Sequence, residues 1–246
     1  MSFIIVGHRG ACEHAPENSL ESYALAERIG VPEIELDVRL SADGELFLLH
    51  DSTLDRVAGD DSARGLGPVS ELTLAQLQSA TLESGRGVVT LAEMFDATTA
   101  DIQLEIKDPA TVPYLARYFA EHPDAAARTI LTSFHADALH EAAAMMPQIG
   151  RCIIVSGFAK AQAFDGGWRA LLEFTGSTRL ASGFEGLTRE IVGEINARGI
   201  AVHVWPIRTI EDLRTGIEIG AEGGTTDDPA LAYDWLSQIE SGTAGR

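Results

Sequence analysis

Three groups of residues in this chain could do chemistry together. In the stretch Glu33-Ile34-Glu35-Leu36-Asp37-Val38 every second residue is acidic, and strand alternation sends all three carboxylates to one face. Carboxylates gathered on one face repel each other and are best tolerated around a cation; an oxygen-only set suits Mg²⁺ or Ca²⁺. Thirteen residues beyond Asp37 comes His50-Asp51, closing the apolar run Leu46-Phe47-Leu48-Leu49, and His8-Arg9-Gly10 closes the run Phe3-Ile4-Ile5-Val6. Glu105 and Lys107, two apart at the end of another candidate strand, share a face. Glu35, Asp37 and Glu105 make a three-ligand oxygen site with room for water and substrate, as a catalytic hard cation requires. Two imidazoles, with unperturbed pKa near about 6.5, suit proton transfer, and an arginine suits phosphate. The set reads as a metal-assisted phosphoester site.

The elements that must position these residues alternate strand and helix. Strand candidates fall at 3–7, 33–38, 102–106, 129–133, 151–155, 179–182, 201–205 and about 223–226, with amphipathic helices between them. That order predicts an α/β fold, a (β/α)₈ TIM barrel, with chemistry at the C-terminal ends of its strands. Asn18, with Glu21 three residues on, reads as the cap of the first helix, which stops at Gly30. Asp43-Gly44 is a hairpin signal, and a regular hairpin would bring 45–50 back antiparallel with His50 opposite Asp37. From 51 to about 89 the chain turns polar and is too short for a core of its own; it reads as a small inserted subdomain forming a cap beside the barrel mouth. The barrel with this insertion spans 1–240, and 241–246 reads as a flexible tail.

Composition narrows the function. A net charge of -19 repels nucleic acid and anionic lipid, which are bound mainly through Lys and Arg. The two cysteines, Cys12 and Cys152, have no metal or disulfide spacing, and no run approaches the length of a membrane span. These features predict a cytoplasmic protein with a small-molecule substrate, no nucleic-acid partner and no stable membrane association. Glu33, at its strand start, reads as solvated. Asp51 and Glu17 read either as partners of a histidine or arginine or as solvated loop carboxylates. Cys12 and His14 lie in the first loop and could line the mouth, and Trp205, ending a strand at the rim, suits stacking on substrate carbons.

The motifs His8-Arg9-Gly10, Pro16-Glu17-Asn18-Ser19, Glu35-Leu36-Asp37-Val38, Asp43-Gly44, His50-Asp51-Ser52-Thr53-Leu54-Asp55-Arg56, Glu105-Ile106-Lys107, Ser133-Phe134 and Val204-Trp205 follow one another along nearly the whole chain. In this order the sequence resembles the glycerophosphodiester phosphodiesterase family. The resemblance implies a barrel with a small insertion, one divalent cation on Glu35, Asp37 and Glu105, acid/base roles for His8 and His50, and phosphate contact by Arg9 and Lys107. It implies hydrolysis of a glycerophosphodiester to sn-glycerol 3-phosphate and an alcohol. After the tryptophan a Thr-Val-Asn-like continuation is usual in that family, whereas this chain has Pro206-Ile207-Arg208, which puts the alcohol preference in question. The rival readings are a lysophospholipase D-like phosphodiesterase and a non-catalytic metabolite-binding barrel.

Overall fold

The structure is a computed structural model, and it describes residues 3–242. Ten strands run in chain order: β1 (Ile4–His8), β2 (Glu33–Leu40), β3 (Leu46–Leu48), β4 (Val89–Thr90), β5 (Asp101–Ile106), β6 (Thr129–Ser133), β7 (Gly150–Val155), β8 (Arg179–Ser182), β9 (Ala201–Val204) and β10 (Gly223–Thr226). Their order in the sheet is β1-β10-β9-β8-β7-β6-β5-β2-β3-β4, and a further pairing of β1 with β2 closes the ring. The ring strands pair in parallel, giving the eight-stranded barrel; β3 and β4 pair antiparallel and hang from β2.

Alternation along β2 divides the barrel as the sequence predicts. Ile34, Leu36 and Val38 point outward into the main core with Leu104, Ile106, Leu131, Ile153, Leu180 and Val202, all buried beneath the helices. Each such side chain contributes about 1.5 to 3 kcal/mol relative to exposure. The first helix, Leu20–Ile29, is capped by Ser19, which accepts from the Ser22 amide, and stops at Gly30, whose φ of 93° is open only to glycine at little cost. The cap is thus one residue later than expected, because Asn18 is drawn away to β2. Thr90 and Glu93 form a capping box, and Thr188 caps Arg189–Asn196 with Leu187 and Val192 buried beside it.

Two expectations fail for local reasons. The turn after β2 is a three-residue loop in which the Ser41 amide bonds Glu45 O and Gly44 takes φ 86°, so Val38 faces Leu48 and it is the Leu49 amide that bonds Asp37 O (2.9 Å). His50 therefore lies one residue past the expected register. The insertion also has a core: Leu54, Val57, Val69, Leu72, Leu77 and Val88 pack on Phe47 and Leu49, the residues of the hairpin's returning arm that face away from the barrel. The barrel lends part of that core, which is why the inserted composition alone looked insufficient.

Glu33 is not solvated. At the N-terminal end of the barrel it pairs with Arg179 from the opposite strand β8 (2.7 and 3.2 Å) and accepts from Gln103 Nε2 (2.6 Å). Cys152 and His203, both buried, complete this floor. The last helix, Pro229–Glu240, starts from Asp228 as its cap. Of the expected tail, residues 243–246 lie outside the described residues. No helix among the described residues is long and apolar enough to cross a membrane.

Candidate active site

Neighbouring strands β2 and β5 bring the predicted carboxylates together: Glu35, Asp37 and Glu105 each offer an oxygen within 4.8 Å of the others, all buried. Lys107 Nζ stands 2.8 Å from Glu105 Oε1 and 3.4 Å from Asp37 Oδ1, and Arg9 Nε 3.1 Å from Asp37 Oδ2. Burial pushes the Glu35 carboxyl up to about 8, with the charge of Asp37 adding to it, and burial and Asp37 raise Glu105 as well. Burial also acts against ionised Asp37, yet Arg9 and Lys107 hold it below the usual carboxylate range. A hard divalent cation fits this cluster on two counts. The buried Asp37 Oδ1 accepts no hydrogen bond, and the burial and repulsion that lift Glu35 and Glu105 are both offset by positive charge among them.

Among the described residues, the two non-glycines with positive φ are Arg9 (50°) and Asn18 (51°), and both are partners of Asp37. Asn18 Nδ2 donates to Asp37 Oδ2 (2.9 Å) and its Oδ1 accepts from the Asp37 amide (3.3 Å). Holding such residues in the left-handed region costs about 1 to 3 kcal/mol each, strain of the kind that collects at functional sites. Arg9 O is pinned by Ser22 Oγ (2.9 Å), and the Arg9 amide donates to Glu35 Oε2 (3.2 Å).

Each histidine faces an aspartate. His8 Nδ1 lies 2.5 Å from Asp227 Oδ1, just beyond β10, while its Nε2 is 3.8 Å from Glu35. His50 Nδ1 lies 2.6 Å from Asp51 Oδ1, and Arg39 holds His50 O at 2.6 Å. Burial disfavours the charged form of His8, but the hydrogen bond to Asp227 and the charge of Glu35 outweigh it and raise its pKa. Burial lowers that of His50 despite Asp37 and Asp51. With Nδ1 turned to an aspartate in both rings, Nε2 is the nitrogen left for a substrate.

A cavity of about 310 Å³ opens over this cluster, within the usual size of a small-molecule site. His8, Arg9, Glu35, His50 and Glu105 line one side; Phe134, Ile154, Ala181, Trp205, Pro206 and Arg208 line the other. Trp205 and Phe134 meet edge to face, centroids 5.5 Å apart. Asp37 is buried, and Lys107 pairs with it and with Glu105 at this end of the barrel. No lining residue comes from 51–89, so the insertion does not wall the cavity as expected of a cap. Asp227, Phe134 and Arg39 escaped the sequence reading. Asp227 sits in Thr226-Asp227-Asp228-Pro229, a signal that reads as a helix cap, and Phe134 was visible only as part of a motif. Cys12 Sγ donates to Asp227 (3.2 Å), and burial and that carboxylate push its thiol pKa up, which favours the protonated thiol. His14 pairs with Asp228 (3.0 Å).

The sequence from 8 to 231 matches the glycerophosphoryl diester phosphodiesterase family. The chain is 26% identical over 245 residues to a glycerophosphodiester phosphodiesterase of Caldanaerobacter subterraneus subsp. tengcongensis, covering 93% of this chain and 96% of that one. A phosphodiesterase of Oleispira antarctica, solved in complex with the product sn-glycerol-3-phosphate, superposes with a TM-score of 0.83 at 25% identity, covering 95% of this chain and 96% of its own. A further structure, from Silicibacter pomeroyi, shares the fold with a TM-score of 0.86 at 24% identity over 97% of this chain and 94% of that one. A match over that span, on a barrel whose rim gathers acidic, imidazole and guanidinium groups, makes this chain a member of the glycerophosphoryl diester phosphodiesterase family.

Proposed function

We propose that the chain hydrolyses glycerophosphodiesters to sn-glycerol 3-phosphate and an alcohol, using one divalent cation, Mg²⁺ or Ca²⁺, held by Glu35, Asp37 and Glu105. The observation that carries this reading is the meeting of that acidic cluster with two aspartate-bound histidines and Arg9 at one open cavity. The sn-glycerol-3-phosphate held by the Oleispira relative supports the choice of substrate class. When bound, the cation would supply positive charge for the non-bridging phosphoryl oxygens, where charge builds in the transition state.

The chain's own residues do the rest. Arg9, fixed by Glu17 and Asp37, presents positive charge to the phosphate. Trp205 and Phe134 offer an apolar wall to the glycerol carbons. One imidazole takes the proton of the free glycerol hydroxyl as that oxygen attacks phosphorus, and the other gives a proton to the alcohol oxygen as its bond to phosphorus breaks. Water then opens the cyclic glycerol phosphate, with both proton transfers reversed. The general acid is identified by the histidine variant whose loss is rescued by an activated leaving group.

A panel of soluble glycerophosphodiesters and lysophospholipids, assayed with and without EDTA, tests the reading. EDTA-sensitive release of sn-glycerol 3-phosphate from the soluble diesters is the expected result. Turnover confined to lysolipids would favour the lysophospholipase D-like alternative, and binding without hydrolysis in the presence of added metal would leave a metabolite-binding barrel.

A further inference from the structure

The insertion contributes nothing to the cavity wall, yet one of its side chains reaches both halves of the polar site. Arg56, in the short turn Asp55–Val57, places Nε 2.5 Å from Asp51 Oδ2 and its two terminal nitrogens each 2.7 Å from Glu17 Oε2 and Oε1. From those carboxylates two short chains run inward. Asp51 Oδ1 meets His50 Nδ1 at 2.6 Å, while Glu17 Oε2 meets Arg9 Nη1 at 2.9 Å and Arg9 Nε meets Asp37 Oδ2 at 3.1 Å.

We propose that Arg56 is a positioning residue that sets the ring of His50 through Asp51 and the guanidinium of Arg9 through Glu17. It rests on the roles assigned above to His50 and Arg9. Only a planar fork can do this: one edge grips Glu17 with two parallel bonds while Nε, on another edge, holds Asp51. With Oδ2 taken by Arg56, Asp51 turns Oδ1 to His50, fixing the proton on Nδ1 and leaving Nε2 toward the cavity. With Glu17 clamped from outside, Arg9 keeps its place beside Asp37 although its backbone is in the left-handed region. A lysine would carry the charge but could not span both carboxylates. The side chain is half exposed, and its neighbours Leu54 and Val57, not Arg56, fill the insertion's core.

The test compares wild type, Arg56→Ala and Arg56→Lys, with histidine ring nitrogens labelled by ¹⁵N and the His50 signals assigned through His50→Gln. Wild type should show His50 as the Nδ1–H tautomer, and Arg56→Ala a mixture of tautomers. Turnover of a soluble glycerophosphodiester by Arg56→Ala should fall about 10- to 100-fold in kcat, with KM raised as Arg9 loosens. Arg56→Lys should recover only one of the two effects. In the Asp51→Asn background, Arg56→Ala should lower kcat by no more than about twofold further, since the effect on His50 runs through Asp51 in both variants, while the rise in KM that runs through Glu17 should remain. A folded Arg56→Ala with His50 unchanged in tautomer and kcat and KM within about twofold of wild type overturns the proposal, as does a double variant whose kcat losses multiply. Should Arg56→Ala not fold, Arg56→Gln carries the same comparisons. The tautomer reading needs no turnover, so an inactive wild type would overturn the proposed function while still judging Arg56.

Discussion

The Glu33–Arg179 pair at the barrel floor allows stability to be separated from activity. Both side chains are nearly buried, 12% and 14% exposed, and the bonds are 2.7 and 3.2 Å. At such a distance and an effective dielectric near 20, the attraction is about 6 kcal/mol, and the desolvation of two ions cancels most of it. Arg179→Met leaves Glu33 charged and buried, a situation that costs about 3 to 5 kcal/mol. Gln103, still 2.6 Å from Glu33 Oε2, should hold the loss to the lower end, about 3 kcal/mol. For a chain of this size that is a fall of about 6 to 12 °C in Tm. Glu33 in the variant would have a folded pKa above its unfolded value, so its neutral form favours folding at low pH, and the deficit against wild type should narrow as pH falls through that range. Glu33→Leu combined with Arg179→Met should recover most of the loss, because no buried charge remains. Denaturant titration at two pH values reads these differences, and diesterase assays at 25 °C should show kcat changed far less than stability, since neither Glu33 nor Arg179 lines the cavity and only Gln103 joins the pair to it. A single-variant loss below about 1 kcal/mol, or a double variant as unstable as the single, refutes the reasoning.

Three further outcomes are expected. His8→Ala and His50→Ala should each lower kcat by about 10² to 10⁴-fold with the fold intact by circular dichroism; near-wild-type turnover in either would remove its proton-transfer role. Burial pushes His203 down to about 3, the Arg179 charge adding to it, and neither ring nitrogen has a partner. The unfolded chain therefore binds a proton the native one refuses, so stability falls as pH drops below about 6.5, by roughly 2 kcal/mol at pH 5 from this group. His203→Leu should flatten that part of the Tm–pH curve, and an unchanged slope would show the ring is not the cause. Arg208 lines the cavity, and its guanidinium makes no ion pair within 4 Å among the described residues, Asp212 being engaged instead by the Arg208 and Thr209 amides. Arg208→Asn should raise kcat/KM for glycerophosphocholine relative to glycerophosphoinositol by about two- to fivefold, the scale of a solvent-exposed charge contact; a constant ratio would show that Arg208 does not meet the substrate.

The barrel was legible because its ring strands are short apolar runs punctuated by local signals such as Gly30, Thr90 and Thr188, which act within one turn of helix. The acidic cluster was legible because period-two alternation is a property of β2 itself, and β5 needed only adjacency. What escaped was set at long range or by a single turn residue. Glu33 looked solvated because its partner is 146 positions away, and Asp227 reaches His8 across 219. Asn18 has the chemistry of a cap, and only the fold shows that Asp37 claims it while Ser19 caps instead. The hairpin register turned on Gly44 adopting φ 86°, which adds a residue to the loop and moves His50 one position along.

The order of strands around the ring has a consequence for how such an enzyme can change. Neighbours β10, β1, β2 and β5 carry Asp227, His8, Glu35, Asp37 and Glu105, whereas Phe134, Ile154, Ala181 and Trp205 belong to β6 through β9 or their ends. The mouth is therefore two arcs, one ionic and one greasy, built from separate stretches of chain. On the mechanism proposed above, substitutions on the second arc would reshape what is grasped without disturbing proton transfer on the first, so new substrates would be reachable by single steps that leave the reaction intact. Arg208 is the cation that this second arc presents to the cavity.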